Sequence, residues 1–299
     1  MVTFIRKITL DFTYQMMLYF TNILLISIFF LFNGQKKHVK INNFYNMAQT
    51  RVIAAGESSA GVKRSKNEDS FALVKIPGAT NLLAIVADGV GGHTKGEIAS
   101  YICCRDLVIE FQHRNLHNQE DPQIIKDFLC KAIERINSKI YERNYSDRAM
   151  RPMSTTLTAA VFMKEHIVLA NAGDSRFYEL TCDGNISCLT NDHLVSVKVI
   201  IKNAAGELEK VQRQALSHAI GPRPFANPDI TILPYNKQSK YMLCSDGIYK
   251  DLTDEKIAQC MQEAQTPKIA INTLMREAVL AGGRDNLSAV IIFPINLQG

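Results

Sequence analysis

The chain has 299 residues, a formal charge of +5 and an apolar fraction of 46%. This length and apolar fraction favour a globular protein with a buried core and exclude a disordered chain. Residues 1–46 hold five basic residues against one acidic residue, which is +4 of the total, so the rest of the chain is almost neutral and offers no basic stripe to nucleic acid.

The seven cysteines are odd in number and include no Cys-x-x-Cys pair. Such a set is typical of reduced thiols in a cytosolic protein rather than of a disulfide framework or a zinc site. The sequence therefore predicts a cytoplasmic protein whose cysteines are mostly small core residues.

Residues 1–46 form a separate hydrophobic and basic block. The run 16–32 is almost wholly apolar, but polar residues interrupt it and it is shorter than the roughly 20 residues that cross a bilayer. One interpretation is a marginal membrane segment, which would anchor the protein with the rest of the chain in the cytoplasm and would be the only part to contact the membrane. The other interpretation is a start-site artefact, with Met47 as the working start of a domain over 47–299.

Short apolar runs bounded by Gly, Asn and Asp follow from position 51 onward, and they predict buried β-strands. No internal repeat or low-complexity linker is present after Met47, so we expect one layered α+β domain in which helices pack on sheets. The predicted strands span residues 82–87, 156–163, 167–170, 241–244 and 289–293.

Three longer stretches predict helices. The first covers about residues 95–112 with a less regular pattern, and Pro122 marks the first turn of the second. Thr266 and Pro267 open the third, and Gly282 is its predicted stop. The second helix has an apolar face at i+3/i+4 spacing, made of Ile125, Phe128, Leu129, Ala132, Ile133, Ile136 and Ile140.

Acidic residues fall where predicted strands begin or end. A single Asp-Gly pair is more often a tight turn than a site, but several strand-end acids beside glycine let the backbone approach a ligand closely. Clustered carboxylates repel one another unless positive charge lies among them, and hard oxygen ligands favour Mg²⁺ or Mn²⁺ over zinc. The acids that predict such a divalent-cation centre are Glu68, Asp69, Asp88, Asp174, Asp246 and Asp285.

Six blocks of sequence form an ordered series, and all of them except STT contain these acids. They are GVKRSKNED at 61–69, VADGVGGH at 86–93, STT at 154–156, AGDSR at 172–176, LCSDG at 243–247 and GRDNLS at 283–288. In this order, and spanning about residues 51–295, the series resembles the metal-dependent type 2C protein serine/threonine phosphatases, especially their compact bacterial branch.

The resemblance implies a four-layer α-β-β-α sandwich of two mainly antiparallel sheets flanked by helices, with the catalytic domain over 47–299. Asp174 matches a residue that, with Asp246, can hold a third metal in bacterial relatives. The alternatives for Asp174 are a hydrogen bond within its own turn or an ion pair with Arg176. The residues implied to line a binuclear Mn²⁺ or Mg²⁺ centre are Asp69, Asp88, the Gly89 carbonyl, Asp246 and Asp285.

Two further residues receive catalytic roles from the resemblance. Arg64 corresponds to the arginine that grips the substrate phosphate, a role that suits a planar guanidinium with two parallel donors, and its alternative is a surface salt bridge. Glu68 would hold a water of the metal centre. In such a centre two cations about 3.5–4 Å apart lower the pKa of a shared water toward about 7 and orient it for in-line attack on the phosphate ester.

Val90 departs from the pattern of many eukaryotic relatives, which have a histidine directly after the Asp-Gly pair to protonate the leaving group. His93 lies three residues further on, and nearness in sequence does not give it that role. The general acid is therefore left unassigned.

The implied partners are phosphorylated protein substrates and the serine/threonine kinase that opposes the enzyme. A cysteine-based phosphatase is the weaker enzyme hypothesis, because no cysteine begins a Cys-x5-Arg loop. The alternative outside enzymes is a catalytically inactive binding module with the same fold, although every matched acidic position is occupied.

A polar, poorly periodic segment lies at about residues 190–216. The resemblance implies that it is the mobile flap beside the metal centre and a determinant of substrate choice. The alternative is an ordinary surface excursion with one short helix.

Overall fold

The apolar runs fold as strands of two antiparallel sheets. The structure is a computed structural model, and it describes residues 52–76, 78–90, 95–146, 152–202 and 208–295. The predictions for residues 1–46, for a start at Met47 and for His93 lie outside these residues. The helices within these ranges are each too short or too polar to span a bilayer.

Strands within these ranges pair only in the antiparallel sense. In chain order they are β1 (Val52–Ser59), β2 (Ser70–Lys75), β3 (Leu82–Ala87), β4 (Gly89–Val90), β5 (Ser154–Thr155), β6 (Leu157–Phe162), β7 (His166–Ala172), β8 (Arg176–Leu180), β9 (Ile186–Cys188), β10 (Leu194–Lys202), β11 (Leu208–Leu216), β12 (Asp229–Pro234), β13 (Lys240–Cys244) and β14 (Leu287–Pro294). One five-stranded sheet has the order β1-β14-β13-β8-β9 and the other has the order β12-β7-β6-β3-β2. The pairs β4-β5 and β10-β11 form separate two-stranded sheets.

The described helices confirm the three predictions and add two. Every residue of the predicted apolar face of the second predicted helix is buried. The third predicted helix begins where Thr266 Oγ1 accepts a hydrogen bond from the Ile269 N–H group at 3.3 Å, and it ends at Gly282. In chain order the α-helices are α1 (Gly96–His113), α2 (Pro122–Ser146), α3 (Asp246–Tyr249), α4 (Asp254–Gln262) and α5 (Pro267–Ala281).

Successive side chains of the central strands point to opposite faces of their sheets. In β3, Leu83 and Ile85 pack with α1 and α2, whereas Leu82 packs between the two sheets. In β14, Ile291 packs with α4 and α5, whereas Ile292 lies between the sheets. The layers are therefore helices, sheet, sheet and helices, which confirms the predicted α+β sandwich.

Residues 194–202 and 208–216 pair in the antiparallel sense as β10 and β11, and this pair of strands is called the hairpin below. The short helix of the alternative interpretation was wrong for the described residues, which form strands, because Val195, Val197 and Val199 alternate with other side chains along β10 in the period of a strand. The hairpin projects into solvent, with Ile200 63% and Leu208 77% exposed. Its function as a flap stays a prediction.

Candidate active site

Five of the predicted acidic residues lie at strand ends on one edge of the sandwich. Asp69 directly precedes β2, Asp88 directly follows β3, and Asp246 follows β13 as the first residue of α3. Asp174 lies in the turn between β7 and β8, and Asp285 lies just before β14. Antiparallel pairing puts the start of β2 beside the end of β3, and the start of β14 beside the end of β13. The topology therefore brings these residues together from distant parts of the chain.

A cleft with a volume of about 970 Å³ opens at this edge. Asp69 is buried next to it, within the range at which its carboxyl interacts with those of Asp88 and Asp246. The fold thus gathers every residue that the sequence assigned to the site, while the role of each stays a prediction. The predicted residues in the cleft wall are Arg64, Glu68, Asp88, Gly89, Asp174, Asp246 and Asp285.

Asp69 is the most deeply enclosed of the carboxylates. Its Oδ2 atom accepts a hydrogen bond from the Ser245 hydroxyl at 2.7 Å. Burial, opposed by the hydrogen bond from Ser245 and reinforced by the charge of Asp246, raises the pKa of Asp69 to about 7. Without a counter-charge, Asp69 therefore ionises only near neutral pH.

Asp88 lies between two other carboxylates. Burial, followed by the negative charges of Asp69 and Asp246, raises the pKa of Asp88 well above its ordinary range. Two hydrogen bonds to Thr156 fix its backbone. The Thr156 N–H group donates to the Asp88 carbonyl at 2.8 Å, and the Asp88 N–H group donates to Thr156 Oγ1 at 2.9 Å. The side chain is thus held in the cluster despite the repulsion.

Gly89 follows Asp88 where two stretches of backbone come very close. A Cβ atom at Gly89 would lie 2.4 Å from the Gly96 carbonyl oxygen and 2.5 Å from the Glu68 carbonyl oxygen. Only glycine fits this position, because those atoms belong to backbone that cannot move aside. The close packing holds the loop of Glu68 against the start of α1.

Arg64 and Glu68 lie on one loop at the rim of the cleft. The Arg64 guanidinium donates to Asp285 Oδ2 at 2.8 Å, and this hydrogen bond raises the pKa of Arg64. Burial, and then the charge of Glu97, raises the pKa of Glu68. Asn286 anchors the loop, since its Oδ1 atom accepts from the Glu68 N–H group at 2.9 Å. The salt-bridge alternative for Arg64 is thus present, but its partner is a predicted metal ligand.

Lys250 is a basic residue next to the carboxylates, and the sequence analysis did not indicate it. Its Nζ atom hydrogen-bonds Asp246 Oδ2 and lies 3.9 Å from Asp174 Oδ2. Burial lowers the pKa of Lys250, but the hydrogen bond and charge of Asp246 more than offset it, and the pKa is raised. Burial, and then the charge of Asp246, raises the pKa of Asp174 to about 6 against the opposing effect of Lys250.

The predicted alternative pairing of Asp174 with Arg176 is not formed. Arg176 instead makes two hydrogen bonds to Asp192, at 2.9 and 2.8 Å, and its guanidinium carbon lies 3.6 Å from the centre of the Tyr249 ring. The Tyr249 hydroxyl donates to the Asp174 carbonyl at 2.9 Å. Asp174 is therefore fixed through its backbone, while its carboxylate faces Lys250.

The oxygen donors of the cleft fit divalent cations. Asp69 Oδ1 and Asp246 Oδ1 are buried and have no hydrogen-bond partner among the described residues. Buried charged oxygens without partners are costly, and hard oxygen donors suit Mg²⁺ or Mn²⁺, so the residues fit such ions. In the described ranges no group of three or more His, Cys, Asp or Glu side chains is already arranged as a metal site. Three side chains hold oxygens of the predicted ligands instead, namely Arg64, Ser245 and Lys250.

Sequence reasoning missed several residues that shape the cleft. Lys250 had a local signal, its i+4 spacing from Asp246. Arg213 on β11 and Arg223 also line the cleft, but they lie in segments without a recognisable motif. Ser245 and Asn286 were inside the motifs, yet only the folded chain reveals that they hold Asp69 and the Glu68 loop.

The chain belongs to the protein phosphatase 2C family, whose profile matches residues 58–276. The serine/threonine phosphatase stp of Listeria monocytogenes is 28% identical over 217 residues, which cover 70% of this chain and 83% of that protein. The serine/threonine protein phosphatase PstP of Mycobacterium tuberculosis is 30% identical over 254 residues, which cover 82% of this chain and 46% of that protein. The solved structure of the S. agalactiae serine/threonine phosphatase has a TM-score of 0.68 and 26% identity, and the match covers 81% of this chain and 99% of that chain.

Proposed function

We propose that this member of the protein phosphatase 2C family hydrolyses phosphoserine and phosphothreonine in proteins at the carboxylate cleft, with two Mn²⁺ or Mg²⁺ ions. The observation that carries the proposal is the pair of buried oxygens, Asp69 Oδ1 and Asp246 Oδ1, that lack any partner among the described residues. The similarity to relatives named serine/threonine phosphatases supports the class of substrate.

The divalent cations would be held by acidic side chains and one backbone oxygen. Bound there, they supply positive charge and Lewis acidity that activate water toward phosphorus. The chain keeps Asp69 and Asp88 buried, which penalises their charged forms, and at a pH where they are ionised a bound counter-charge would offset that penalty. The proposed ligands are Asp69, Asp88, the Gly89 carbonyl, Asp246 and Asp285.

Arg64 would bind the phosphate group of the substrate. Its side chain is 49% exposed at the cleft rim, and its partner Asp285 is 36% exposed. If Asp285 held a cation, the Arg64 guanidinium would be free of this ion pair and could offer parallel donors to two phosphate oxygens. Glu68, on the same loop, has an elevated pKa and is suited to accept a hydrogen bond from water in the cleft.

A cysteine nucleophile has no support at this site. None of the seven cysteines, all in the described ranges, lines the cleft. Burial raises the pKa of Cys103 to about 12 and raises the pKa of Cys104 and Cys244, so these thiols stay protonated at neutral pH.

The test is Mn²⁺-dependent release of phosphate from a phosphothreonine peptide by the wild type and by Asp246→Asn. Removing a hydrogen-bond partner of a metal ligand typically costs about 10- to 100-fold in activity or metal affinity, so removing a ligand should lower kcat/KM by at least about 100-fold. Asp229→Asn is the matched control, because Asp229 pairs with His193 outside the cleft wall.

Equal rates for the wild type and Asp246→Asn would remove the metal assignment. A wild type that binds phosphopeptide without releasing phosphate would favour the inactive binding module. The proposed partners are phosphorylated proteins and the kinase that modifies them, and the proposed location is the cytoplasm.

A further inference from the structure

Lys250 brings to the cleft a positive charge that the proposed function does not use. Its Nζ atom hydrogen-bonds Asp246 Oδ2 and lies 3.9 Å from Asp174 Oδ2. These two carboxylates are the ones that the sequence resemblance assigned to a third divalent cation. The ammonium group therefore lies at the position that such an ion would need.

We propose that the Lys250 ammonium takes the place of a third divalent cation between Asp174 and Asp246, so that this cleft works with two bound ions. The inference rests on the proposed function, because it concerns the number of ions that the same cleft takes. A third ion does not fit the residues, since it would have to displace a hydrogen-bonded ammonium group or approach it against the repulsion of like charges.

The local backbone fixes Lys250 in this position. Asp246 and Lys250 are four residues apart across the single turn of α3, a spacing that puts two side chains on the same helix face. The Lys250 N–H group donates to the Asp246 carbonyl at 2.9 Å. A Cβ atom at Gly247 would lie 2.1 Å from the Asn286 carbonyl oxygen, so the turn is packed directly against the chain before β14.

Asp246 divides its two oxygens between two environments. Its Oδ2 atom is held by Lys250, whereas its Oδ1 atom is buried and has no partner among the described residues. One carboxylate can therefore accept the ammonium on one side and serve the proposed pair of ions on the other. Lys250 does not compete for the oxygen that the proposed function requires.

Asp174 has no other cation within reach in the part of the chain that the structure describes. Arg176, its neighbour in sequence, is engaged by Asp192 and stacked on Tyr249. Tyr249 in turn hydrogen-bonds the Asp174 carbonyl and keeps the turn in place. Neutralisation of the Asp174 carboxylate thus depends on Lys250.

The experiment counts Mn²⁺ ions per chain by equilibrium dialysis of the full-length protein, without any activity measurement. We expect two ions for the wild type and three for Lys250→Met, in which an uncharged side chain of similar length opens the third position. Asp174→Asn should leave the wild-type count at two and should return the count of Lys250→Met from three to two. Lys237→Met is the control for loss of a lysine, because Lys237 pairs with Glu165 outside the cleft wall.

The outcomes separate this inference from the function on which it rests. A wild type that binds no Mn²⁺ would overturn the proposed function itself. A count of two for both the wild type and Lys250→Met would overturn the Lys250 inference alone, as would a wild-type count of three that falls with Asp174→Asn. Circular dichroism checks that each variant is folded, and Lys250→Gln carries the same expected count of three if Lys250→Met does not fold.

Discussion

The carboxyl groups of the cleft lower the stability of the metal-free protein when they ionise. The pKa of Asp69 is raised to about 7 and that of Asp174 to about 6, both chiefly by burial. A carboxyl with a higher pKa in the folded state binds more protons when folded, so stability falls as pH rises from the unfolded pKa of about 3.9 to the folded pKa. Divalent cations that bind only the folded state would restore that stability.

We expect the protein in chelator to unfold at a lower temperature at about pH 8 than at about pH 5, because the raised carboxyl pKa values fall within that window. Asp69→Asn carries no charge there, so its unfolding temperature should depend less on pH and should equal or exceed that of the wild type at the higher pH. Thermal unfolding followed by circular dichroism measures both. A stronger pH dependence in Asp69→Asn than in the wild type would contradict the role given to burial.

Single residues differed in how far the sequence could predict them. The motif around Asp246 identified a cleft residue, and the i+4 position of Lys250 was visible in the same stretch. The partner of Arg176 was not visible, because the choice between Asp174 and Asp192 depends on how the turn after β7 meets the chain before β10. Local spacing predicts which side chains are neighbours on one helix. Contacts between side chains in different turns can be identified only from the three-dimensional structure.

Secondary-structure elements were predicted best where a pattern ran uninterrupted. The predicted apolar face of α2 runs from Ile125 to Ile140 within a helix of 25 residues, and all its predicted members are buried. The helix α4 has only nine residues, and its main local signal is the cap at Thr253, whose side chain accepts from the Lys256 N–H group at 3.3 Å. Short elements contain too few turns to display a period, so packing rather than pattern reveals them.

The hairpin of β10 and β11 gives a prediction at the scale of an element. Its base lines the cleft at residues 213–216, but its outer part is exposed and buries little of the core. Replacing residues 198–212 by an Asn-Gly turn should therefore leave thermal stability nearly unchanged. Hydrolysis of p-nitrophenyl phosphate should change by less than about 3-fold, whereas kcat/KM for a phosphopeptide should fall by about 10-fold or more, since binding contacts beyond the phosphate are lost.

Parallel assays of the two substrates, with intact folding shown by circular dichroism, measure this effect. Equal losses for both substrates would mean that the hairpin supports the cleft itself. Unchanged activity toward both would mean that it has no part in substrate choice.

At the scale of the whole molecule, the site depends on contacts between distant segments. Arg64 and Asp285 are 221 residues apart in sequence, yet the Arg64 guanidinium lies 2.8 Å from Asp285 Oδ2. Apolar periods predicted the strands, but they do not contain the order in which strands pair or the edge at which their ends meet. The resemblance to a known family supplied only the layers, two mainly antiparallel sheets flanked by helices, and the two five-stranded sheets confirm that architecture.

The most direct test of the account is the position of Mn²⁺ in crystals of the protein, located by its anomalous scattering. We predict two peaks in the cleft, at ligand distances of about 2.0–2.3 Å from the carboxylates of Asp69, Asp88 and Asp246, and none between Lys250 and Asp174. Mn²⁺ bound only elsewhere on the protein, or a cleft that stays without metal at saturating Mn²⁺, would contradict the claim that these acids form a divalent-cation centre.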